Sequence, residues 1–413
     1  MKTSRRKFFN TGLSLAAGIG LHRNTSGQTL YGEDARKKIK DVPEKKKATM
    51  DLMEFQPRST LVVPEHKVTR SKFPCIDTHT HMCDVFGRRR GDKPATPLPG
   101  AEEYIAKAVK TMDGLNLQTI VNLTGGNGEE LVNKIARLDR KYPGRFMTCT
   151  QPDYLRINEP GYPQWQADEL RRARDAGAVG LKILKGHGLT WRKQIDKGPL
   201  IKIDDPRFDP MWEACGELGM PVFIHTSDPD AFFMPIDRFN ERWEELGNHP
   251  DWSFYGEDYP SKPELLAARN RVIERHPGTN FIGLHVANHP ENLDEVATWL
   301  DKYPNLYCDT AARLGELGRQ PRRAREFLIK YQDRICWGTD ATPTVGTPQQ
   351  DFKPAMFHAY FRFAETWDEY FDYAPSPTPP QGRWKIYGVN LPDEVLKKFY
   401  YNNIAGLLGM KLI

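Results

Sequence analysis

Two histidines lie two residues apart at the end of a short apolar run, in the stretch CIDTHTH from Cys75 to His81. Side chains two residues apart on a β-strand point to the same face, so His79 and His81 would project into one space. An isolated His-x-His pair is a weak signal, because a single histidine at a strand end is more often a structural group than a metal ligand. The pair gains weight only if other strands bring polar residues to the same place.

Three other apolar runs end in residues that can bind a metal. These residues are His225 in PVFIHTS, His285 in NFIGLHVA and Asp340 in CWGTD. Each has a structural explanation when taken alone; Asp340, for example, can cap the turn that follows it. Their joint placement is harder to explain by core packing, since unpaired buried polar groups are costly. Imidazole nitrogens with one carboxylate suit Zn²⁺ best, with Mn²⁺, Co²⁺ or Fe²⁺ as alternatives, so the pattern favours a divalent metal site.

The elements that would position these residues alternate along the chain. From Cys75 onward, short β-rich runs are each followed by an amphipathic helical stretch, the first of them predicted from Ala101 to Leu115, and eight such units can be read. Neighbouring parallel strands need a crossover connection, and eight units over roughly 270 residues match a (β/α)8 TIM barrel, whose strand ends converge on one face. An open doubly wound sheet is the alternative, but no glycine-rich phosphate loop follows the first strand. The sequence therefore predicts an α/β fold of the TIM-barrel type.

Two connections in this barrel are far longer than the usual few residues. One follows the fifth strand from Ser227 to Lys262 and is rich in aromatic residues, and the other follows the eighth strand from Ala341 to about Tyr387. Both insertions leave from the C-terminal strand ends, where barrel enzymes place their active sites. We therefore expect lids or pocket walls, with contacts in a homo-oligomer as the alternative for part of each.

The N-terminal segment has the pattern of an export signal. Residues 1–21 combine a basic start with a modest apolar run that is too short to span a bilayer, and Arg5 and Arg6 in SRRKFF resemble the twin-arginine signature. An ordinary Sec signal is the alternative. We expect a periplasmic protein with no membrane span after processing, in which residues 22–70 form a polar extension and residues 71–413 form the barrel domain.

The charge of the chain is concentrated near its N-terminus. Lys and Arg number 59 against 54 Asp and Glu, and the basic runs ARKKIK and EKKK lie between Ala35 and Lys47. The remainder is close to neutral, which argues against a nucleic-acid surface. A small-molecule substrate is the expected partner.

The residues His79-x-His81, His225, His285 and Gly-Thr-Asp340 resemble the metal-dependent TIM-barrel hydrolases of the amidohydrolase superfamily. The resemblance is strongest to the amidohydrolase-2 branch, which includes aminocarboxymuconate-semialdehyde decarboxylase. The stretch FYYNNIAGLLG also resembles the closing helix of that branch, so the resemblance runs from about Phe73 to Gly409. It implies one divalent metal bound by His79, His81, His225 and Asp340, with His285 facing the open position.

This resemblance also implies the reaction. Metal-activated water would attack an amide, lactone or ester-like bond of a small carboxylate-bearing substrate. Asp340 would take the proton of the water, and His285 would polarise the substrate carbonyl or move protons. Non-oxidative decarboxylation is the alternative, because the metal ligands do not distinguish the two reactions. A non-catalytic binding barrel is a further alternative.

Three more residues are candidates near this site. Lys182 in GLKIL, on the fourth strand, matches the position at which binuclear members of the superfamily carry a carboxylated lysine, so it admits a second metal or can bind a substrate carboxylate. One metal is the preferred interpretation. Arg313, just beyond the seventh strand, can clamp a carboxylate bidentately. Asp77 shares a strand face with His79 by spacing and is predicted to orient a ligand histidine by hydrogen bonding.

Overall fold

The computed structural model describes residues 49–51, 54–82, 100–194, 197–256, 258–342, 352–376 and 380–413. The chain divides into two units, residues 1–61 and Val62–Ile413. Of the first unit, the described residues carry no helix or strand. The predicted export signal at residues 1–21 and most of the predicted extension lie outside the described residues. No helix in the described ranges is long and apolar enough to cross a membrane.

Ten short strands occur in the described residues. They are β1 (Cys75–Thr80), β2 (Leu117–Asn122), β3 (Phe146–Thr148), β4 (Leu181–Ile183), β5 (Arg192–Gln194), β6 (Lys197–Leu200), β7 (Val222–Ile224), β8 (Phe281–Gly283), β9 (Leu306–Asp309) and β10 (Ile335–Cys336). The pair β5 and β6 is a separate antiparallel hairpin after β4, which the sequence did not predict. The other eight strands are parallel.

The eight parallel strands follow one another in a cyclic order. β1, β2 and β3 pair in that order, and β4, β7, β8, β9 and β10 pair in that order. Isolated parallel bridges join the two sheets, at Thr150 with Leu181 and at Thr80 with Ala341. At the second of these seams the His81 N–H donates to the carbonyl of Ala341 over 2.9 Å. This is the strand order of the predicted TIM barrel.

The helices alternate with these strands. In chain order they are Ala101–Leu115, Gly128–Arg137, Tyr162–Ala176, Asp209–Glu217, Trp243–Asn248, Lys262–Arg275, Leu293–Lys302, Leu314–Arg319, Pro321–Lys330, Pro354–Glu365, Asp393–Lys397 and Asn403–Leu407, with a π-helix at Lys398–Asn402. Single 3₁₀ turns lie at Tyr154–Arg156, Pro206–Phe208, Asp230–Phe233 and Pro250–Trp252, and short turns with non-helical backbone angles lie at Gly186–Leu189 and Leu284–Ala287. The first helix has the bounds that its apolar spacing predicts, because Ile105, Ala108 and Met112 share one buried face.

Strand residues alternate between two hydrophobic clusters. Val222 and Ile224 of β7 pack in the large cluster that also holds the helix side chains, whereas Phe223 between them packs in a second cluster. This second cluster also contains Ile282 of β8 and Ile404 of the closing helix. The period of two is that of a strand covered on both faces, and each fully buried large apolar side chain contributes about 1.5–3 kcal/mol. The barrel is thereby a rigid support for residues at its strand ends.

Both long insertions pack onto the barrel. In the insertion after β7, Phe232, Leu246 and Phe254 form a buried cluster with Leu265 of the helix Lys262–Arg275. Arg242 of the same insertion is buried and makes ion pairs with Glu245 and with Glu316 of the helix Leu314–Arg319. The insertion after β10 contributes the helix Pro354–Glu365, although its residues 343–351 and 377–379 lie outside the described part of the chain.

Candidate active site

Three predicted ligand atoms lie together at the ends of β1 and β10. The Nε2 atoms of His79 and His81 are 3.2 Å apart, and the Oδ1 atom of Asp340 lies 3.2 Å from the first and 3.0 Å from the second. Two atoms bound to one metal at 2.0–2.2 Å from it lie about 3.0 to 3.5 Å apart. The spacing of this triad therefore fits a shared divalent cation.

The electrostatics of the triad also suit a metal. Burial lowers the pKa of His79 well below its usual range, so its imidazole is neutral and offers a lone pair. Burial by itself raises the pKa of Asp340, but the His79 and His81 imidazoles outweigh this and hold it well below its usual range. The triad therefore presents the neutral imidazole of His79, the imidazole of His81 and one carboxylate, which is the donor set that Zn²⁺ and related ions bind.

Asp309, at the end of β9, orients His79. Its Oδ2 atom lies 2.7 Å from Nδ1 of His79, and its Oδ1 atom accepts the backbone N–H of His285 over 2.6 Å. Because a carboxylate at neutral pH only accepts, His79 carries its proton on Nδ1 and keeps Nε2 free for the metal. The sequence reasoning missed this role, although an aspartate that ends the apolar run NLYCD, like Asp340 in CWGTD, was an available signal.

Replacing Asp309 by asparagine should weaken metal binding about 10- to 100-fold. The amide keeps an acceptor for the His285 N–H, but it cannot accept from both neighbours, so His79 loses the partner that fixes its tautomer. Zn²⁺ affinity is measured by competition with a chromophoric chelator. The control is Asp139→Asn, which removes a carboxylate that accepts from Thr148, away from the triad. Equal affinities for the two variants would contradict the assignment.

His225 and His285 lie beside the triad. The ring centroid of His285 is 4.8 Å from that of His79 and 4.5 Å from that of His225. Nδ1 of His285 lies 2.8 Å from the carbonyl oxygen of Ala311, and a carbonyl only accepts, so the Nε2 atom of His285 carries no proton. Burial lowers the pKa of His225 to about 4 and that of His285 well below its usual range. Both rings are therefore neutral at pH 7.

The predicted fourth ligand, His225, is not among the ligand atoms that lie within 4.8 Å of one another in the triad. Its Nε2 atom is buried without a hydrogen-bond partner among the described residues, and it lies 3.5 Å from Oδ1 of Asp228, which is too long for a normal hydrogen bond. Asp228 itself pairs with Lys185 over 2.6 Å. His225 thus offers an unused nitrogen, and Asp228 is a further carboxylate at the site that the sequence reasoning did not single out.

His285 occupies an unusual backbone turn. The four residues His285, Val286, Ala287 and Asn288 have φ values of 57°, 58°, 50° and 58°. Left-handed helical geometry costs roughly 1–2 kcal/mol per residue for L-amino acids, and a β-branched residue such as Val286 is an outlier there. Strain of this kind persists only where the surrounding structure holds it, and it clusters at functional sites.

Asp77 lies next to the triad but does not contact an imidazole. Its Oδ1 atom accepts the backbone N–H groups of His79 and Thr339 over 3.1 and 3.0 Å, and its Oδ2 atom accepts the hydroxyl of Thr339 over 2.5 Å. Asp77 thus hydrogen-bonds to the predicted ligand His79 through the backbone N–H of that residue, whereas the carboxylate beside the His79 ring is that of Asp309. Asp77 thus ties the end of β1 to the segment that carries Asp340.

The segment before Asp340 is held close to β1. A Cβ atom on Gly338 would lie 2.8 Å from Oγ1 of Thr78 and 3.1 Å from Cβ of His79, so only glycine fits. Tyr360, from the insertion after β10, donates its hydroxyl to the Thr339 carbonyl over 3.0 Å. The insertion predicted as a pocket wall therefore braces the ligand-bearing turn.

Lys182 and Arg313 are buried cations near these residues. Lys182 is 1% exposed, and its Nζ atom has no hydrogen-bond partner within the described ranges. Burial lowers the pKa of Lys182 to about 8, while Asp340 and Asp309 oppose the shift. Arg313 is 5% exposed and donates to the Ala312 carbonyl, but its Nε atom is unpartnered in the same described part of the chain. Both side chains retain donors that an anion can satisfy.

Comparison with known proteins gives a family and several solved structures. The model of the family described as amidohydrolase matches residues 76–410. A dihydroxybenzoic acid decarboxylase from a Polaromonas species, solved with bound manganese and 2-nitroresorcinol, is 15% identical with a TM-score of 0.48, covering 82% of this chain and 97% of that one. A 2,6-dihydroxybenzoate decarboxylase from Rhizobium is 15% identical with a TM-score of 0.47, covering 82% and 99%. A probable 2-pyrone-4,6-dicarboxylic acid hydrolase from Acinetobacter baumannii is 12% identical with a TM-score of 0.46, covering 82% and 100%.

Proposed function

The chain belongs to the amidohydrolase family, and on that premise we propose that it is a hydrolase with one metal per chain. The proposed reaction is hydrolysis of an amide, lactone or ester-like bond in a small carboxylate-bearing substrate. The observation that carries this proposal is the triad of His79, His81 and Asp340, whose ligand atoms lie 3.0 to 3.2 Å apart. His225 supplies a further unpartnered nitrogen beside it.

Zn²⁺ is the proposed ion, held by His79, His81, His225 and Asp340. Neutral imidazoles with a single carboxylate suit zinc, and Mn²⁺, Co²⁺ or Fe²⁺ are the alternatives. When bound, such an ion polarises a carbonyl and lowers the pKa of water on it to about 7. No bridging group between two ions is needed for this, so Lys182 is left free for the substrate.

Asp340 and His285 are proposed to move the protons. Asp340 is anionic, because its pKa lies well below the usual range, and it can accept the proton of an attacking water. The proton-free Nε2 atom of His285 can receive a proton or hold a substrate group, because its Nδ1–H is committed to the Ala311 carbonyl. The fixed ring keeps this nitrogen directed at the reacting atoms without further reorganisation.

Lys182 and Arg313 are proposed to bind the carboxylate of the substrate. A buried cation with an unsatisfied donor is costly, and an anionic ligand removes that cost. Beyond the effect of burial, the charge of Lys182 lowers the pKa of His79 and His225, and the charge of Arg313 lowers the pKa of His285, so both cations act on the imidazoles. A neutral substrate without an acceptor group would leave Nζ of Lys182 and Nε of Arg313 without a hydrogen-bond partner among the described residues.

Substrate binding should weaken as the pH rises through about 8, the pKa to which burial lowers Lys182. The lysine is charged below its pKa and neutral above it, so its attraction to a carboxylate is lost on the alkaline side; a bound cation would move the transition to lower pH. The measurement is the inhibition constant of benzoate between about pH 6 and 10. Lys182→Met should remove the transition. A wild-type constant that stays flat across this range would contradict the role of Lys182.

A second candidate reaction is the loss of the substrate carboxyl group as CO₂. The same buried cations favour it, because they would hold a carboxylate beside His285, whose Nε2 atom can take a proton from water and pass it to the carbon that CO₂ leaves. The Zn²⁺-loaded protein is tested on a panel of lactones, amides and aromatic carboxylates, with Asp340→Asn as the control. Hydrolysis products without CO₂ are expected. Release of CO₂ in a stoichiometric amount would show that the reaction is decarboxylation and not hydrolysis. No turnover of any compound would favour a non-catalytic binding barrel.

A further inference from the structure

The turn His285–Asn288 needs support from outside itself. All four of its residues have positive φ, and none of them is glycine. The turn leads from β8 towards the helix Leu293–Lys302, and its first residue carries the imidazole beside His79. Because such a turn opposes the intrinsic preference of its residues, the groups that contact it decide whether it forms.

Two contacts hold the turn on the barrel side. A Cβ atom on Gly283 would lie 2.9 Å from Cβ of Ala287, so the turn folds back onto the last residue of β8. Oδ1 of Asn288 accepts the backbone N–H of Thr226 over 3.0 Å, next to His225. The turn is thereby linked to the ends of both β7 and β8.

Arg269 holds the turn from the helix side. Its side chain belongs to the helix Lys262–Arg275, is fully buried, and donates from Nη1 to the carbonyl of Ala287. Its Nε and Nη2 atoms donate to Oδ1 of Asn270 over 3.1 and 2.8 Å, and the guanidinium lies 4.5 Å from the Trp299 ring. The donor atoms of this arginine are therefore directed at one backbone carbonyl and one amide.

A buried arginine in this setting is unusual. Arg269 makes no ion pair with a carboxylate among the described residues, in contrast to the buried Arg242, which pairs with Glu245 and Glu316. Burial lowers the pKa of Arg269 to about 10. Burying a charge without a countercharge is expensive, and general packing would be served better by an apolar side chain. The hydrogen bond to the Ala287 carbonyl is the interaction that arginine makes at this position and that an apolar side chain could not make.

We propose that Arg269 is a positioning residue for His285. By binding the carbonyl of Ala287, it stabilises the left-handed turn that places the His285 imidazole beside His79 and His225. The role of His285 in proton transfer rests on the proposed function, but the position of its ring does not. Within the described part of the chain, the hydrogen bonds of Arg269 go to Ala287 and Asn270 and to none of the predicted site residues, so it acts through the backbone.

The test follows the ring N–H of His285 by NMR in the full chain labelled with ¹⁵N-histidine. In the wild type, Nδ1–H of His285 donates to Ala311 over 2.8 Å and should exchange slowly with water. In Arg269→Met we expect this exchange to be at least about tenfold faster. The matched control is Arg271→Met in the same helix, where the exposed arginine pairs with Asp204, and its spectrum should be unchanged. A His285→Gln variant assigns the signal.

A second substitution that restores slow exchange distinguishes lost positioning of His285 from a general loss of stability. Glycine adopts positive φ without a steric cost, so adding Ala287→Gly to Arg269→Met should restore slow exchange even though the core has lost one more methyl group. If Arg269→Met does not fold, Arg269→Lys is used instead, since one ammonium group cannot donate to both Ala287 and Asn270 in the same geometry. Wild-type exchange in the folded Arg269 variant, or failure of the glycine to restore it, would overturn the proposal.

A kinetic readout accompanies the spectrum where a substrate is found. A displaced acid–base group should lower kcat about 10- to 100-fold in Arg269→Met and leave KM within about threefold. Zn²⁺ content should be unchanged, because His285 is not a proposed ligand. The NMR experiment does not depend on turnover, so absence of any hydrolase activity would count against the proposed function alone. A Zn²⁺ content of Arg269→Met that falls as much as its kcat would contradict the positioning role.

Discussion

Replacement of Asp340 by asparagine should lower kcat by about a thousandfold or more. The substitution removes both the charge that attracts a cation to His79 and His81 and the group proposed to take a proton from water. Asparagine is close in shape and tolerates the φ of 64° at this position, so the turn should still form. Turnover is measured on the best substrate from the lactone and carboxylate panel.

The matched control for this variant is Asp139→Asn, since Asp139 is also partly buried but bonds to Thr148, at the end of β3. Its kcat should stay near that of the wild type. Both variants are checked for folding by circular dichroism and thermal unfolding. An Asp340→Asn protein that keeps near-wild-type activity would show that neither the charge nor the proton transfer assigned to Asp340 is needed.

Replacement of His81 by alanine should weaken Zn²⁺ binding by more than about a hundredfold, beyond the 10- to 100-fold typical of lost outer-sphere partners. His81 supplies one of the three atoms within 3.2 Å of one another, and its side chain is 18% exposed, so truncation leaves only a small defect in the core. Affinity is measured by chelator competition, and turnover should fall in parallel.

The comparison for His81→Ala is His249→Ala, in the insertion after β7. The ring of His249 stacks on that of Trp252, with the two ring centroids 4.1 Å apart. That variant should bind Zn²⁺ as the wild type does. His225→Ala is measured in the same series, because His225 is proposed as the fourth ligand. Retention of full affinity by His81→Ala would remove the triad from the metal site.

The alternation of barrel strands and helices could be predicted from the sequence, whereas the hairpin of β5 and β6 could not. The helix Ala101–Leu115 was read with both of its bounds, because its apolar residues recur at helical spacing. His79 and His81 share a face as the strand period requires. The strands themselves are shorter than predicted, since β10 ends at Cys336 and β7 at Ile224. His225 and Asp340, which were predicted at strand ends, therefore lie on the loops that follow β7 and β10.

Other features depend on tertiary contacts that no local pattern encodes. Asp77 was expected to orient a histidine because of its spacing, and it accepts the backbone N–H of His79, but its further bonds to Thr339 join residues far apart in the sequence. The role of Asp309 follows from the pairing of distant strands. The left-handed turn at His285 could not be predicted, because a positive φ is normally signalled by glycine.

The most direct test of the central claim is the metal content of the purified wild-type chain. The protein is reconstituted with Zn²⁺, freed of loosely bound ions by gel filtration, and analysed by inductively coupled plasma mass spectrometry together with protein quantification. One Zn²⁺ per chain is expected, with loss of that ion from the Asp340→Asn and His81→Ala variants. No retained metal would contradict the site altogether, and two ions per chain would contradict the single-metal centre and return Lys182 to the role of a bridging ligand.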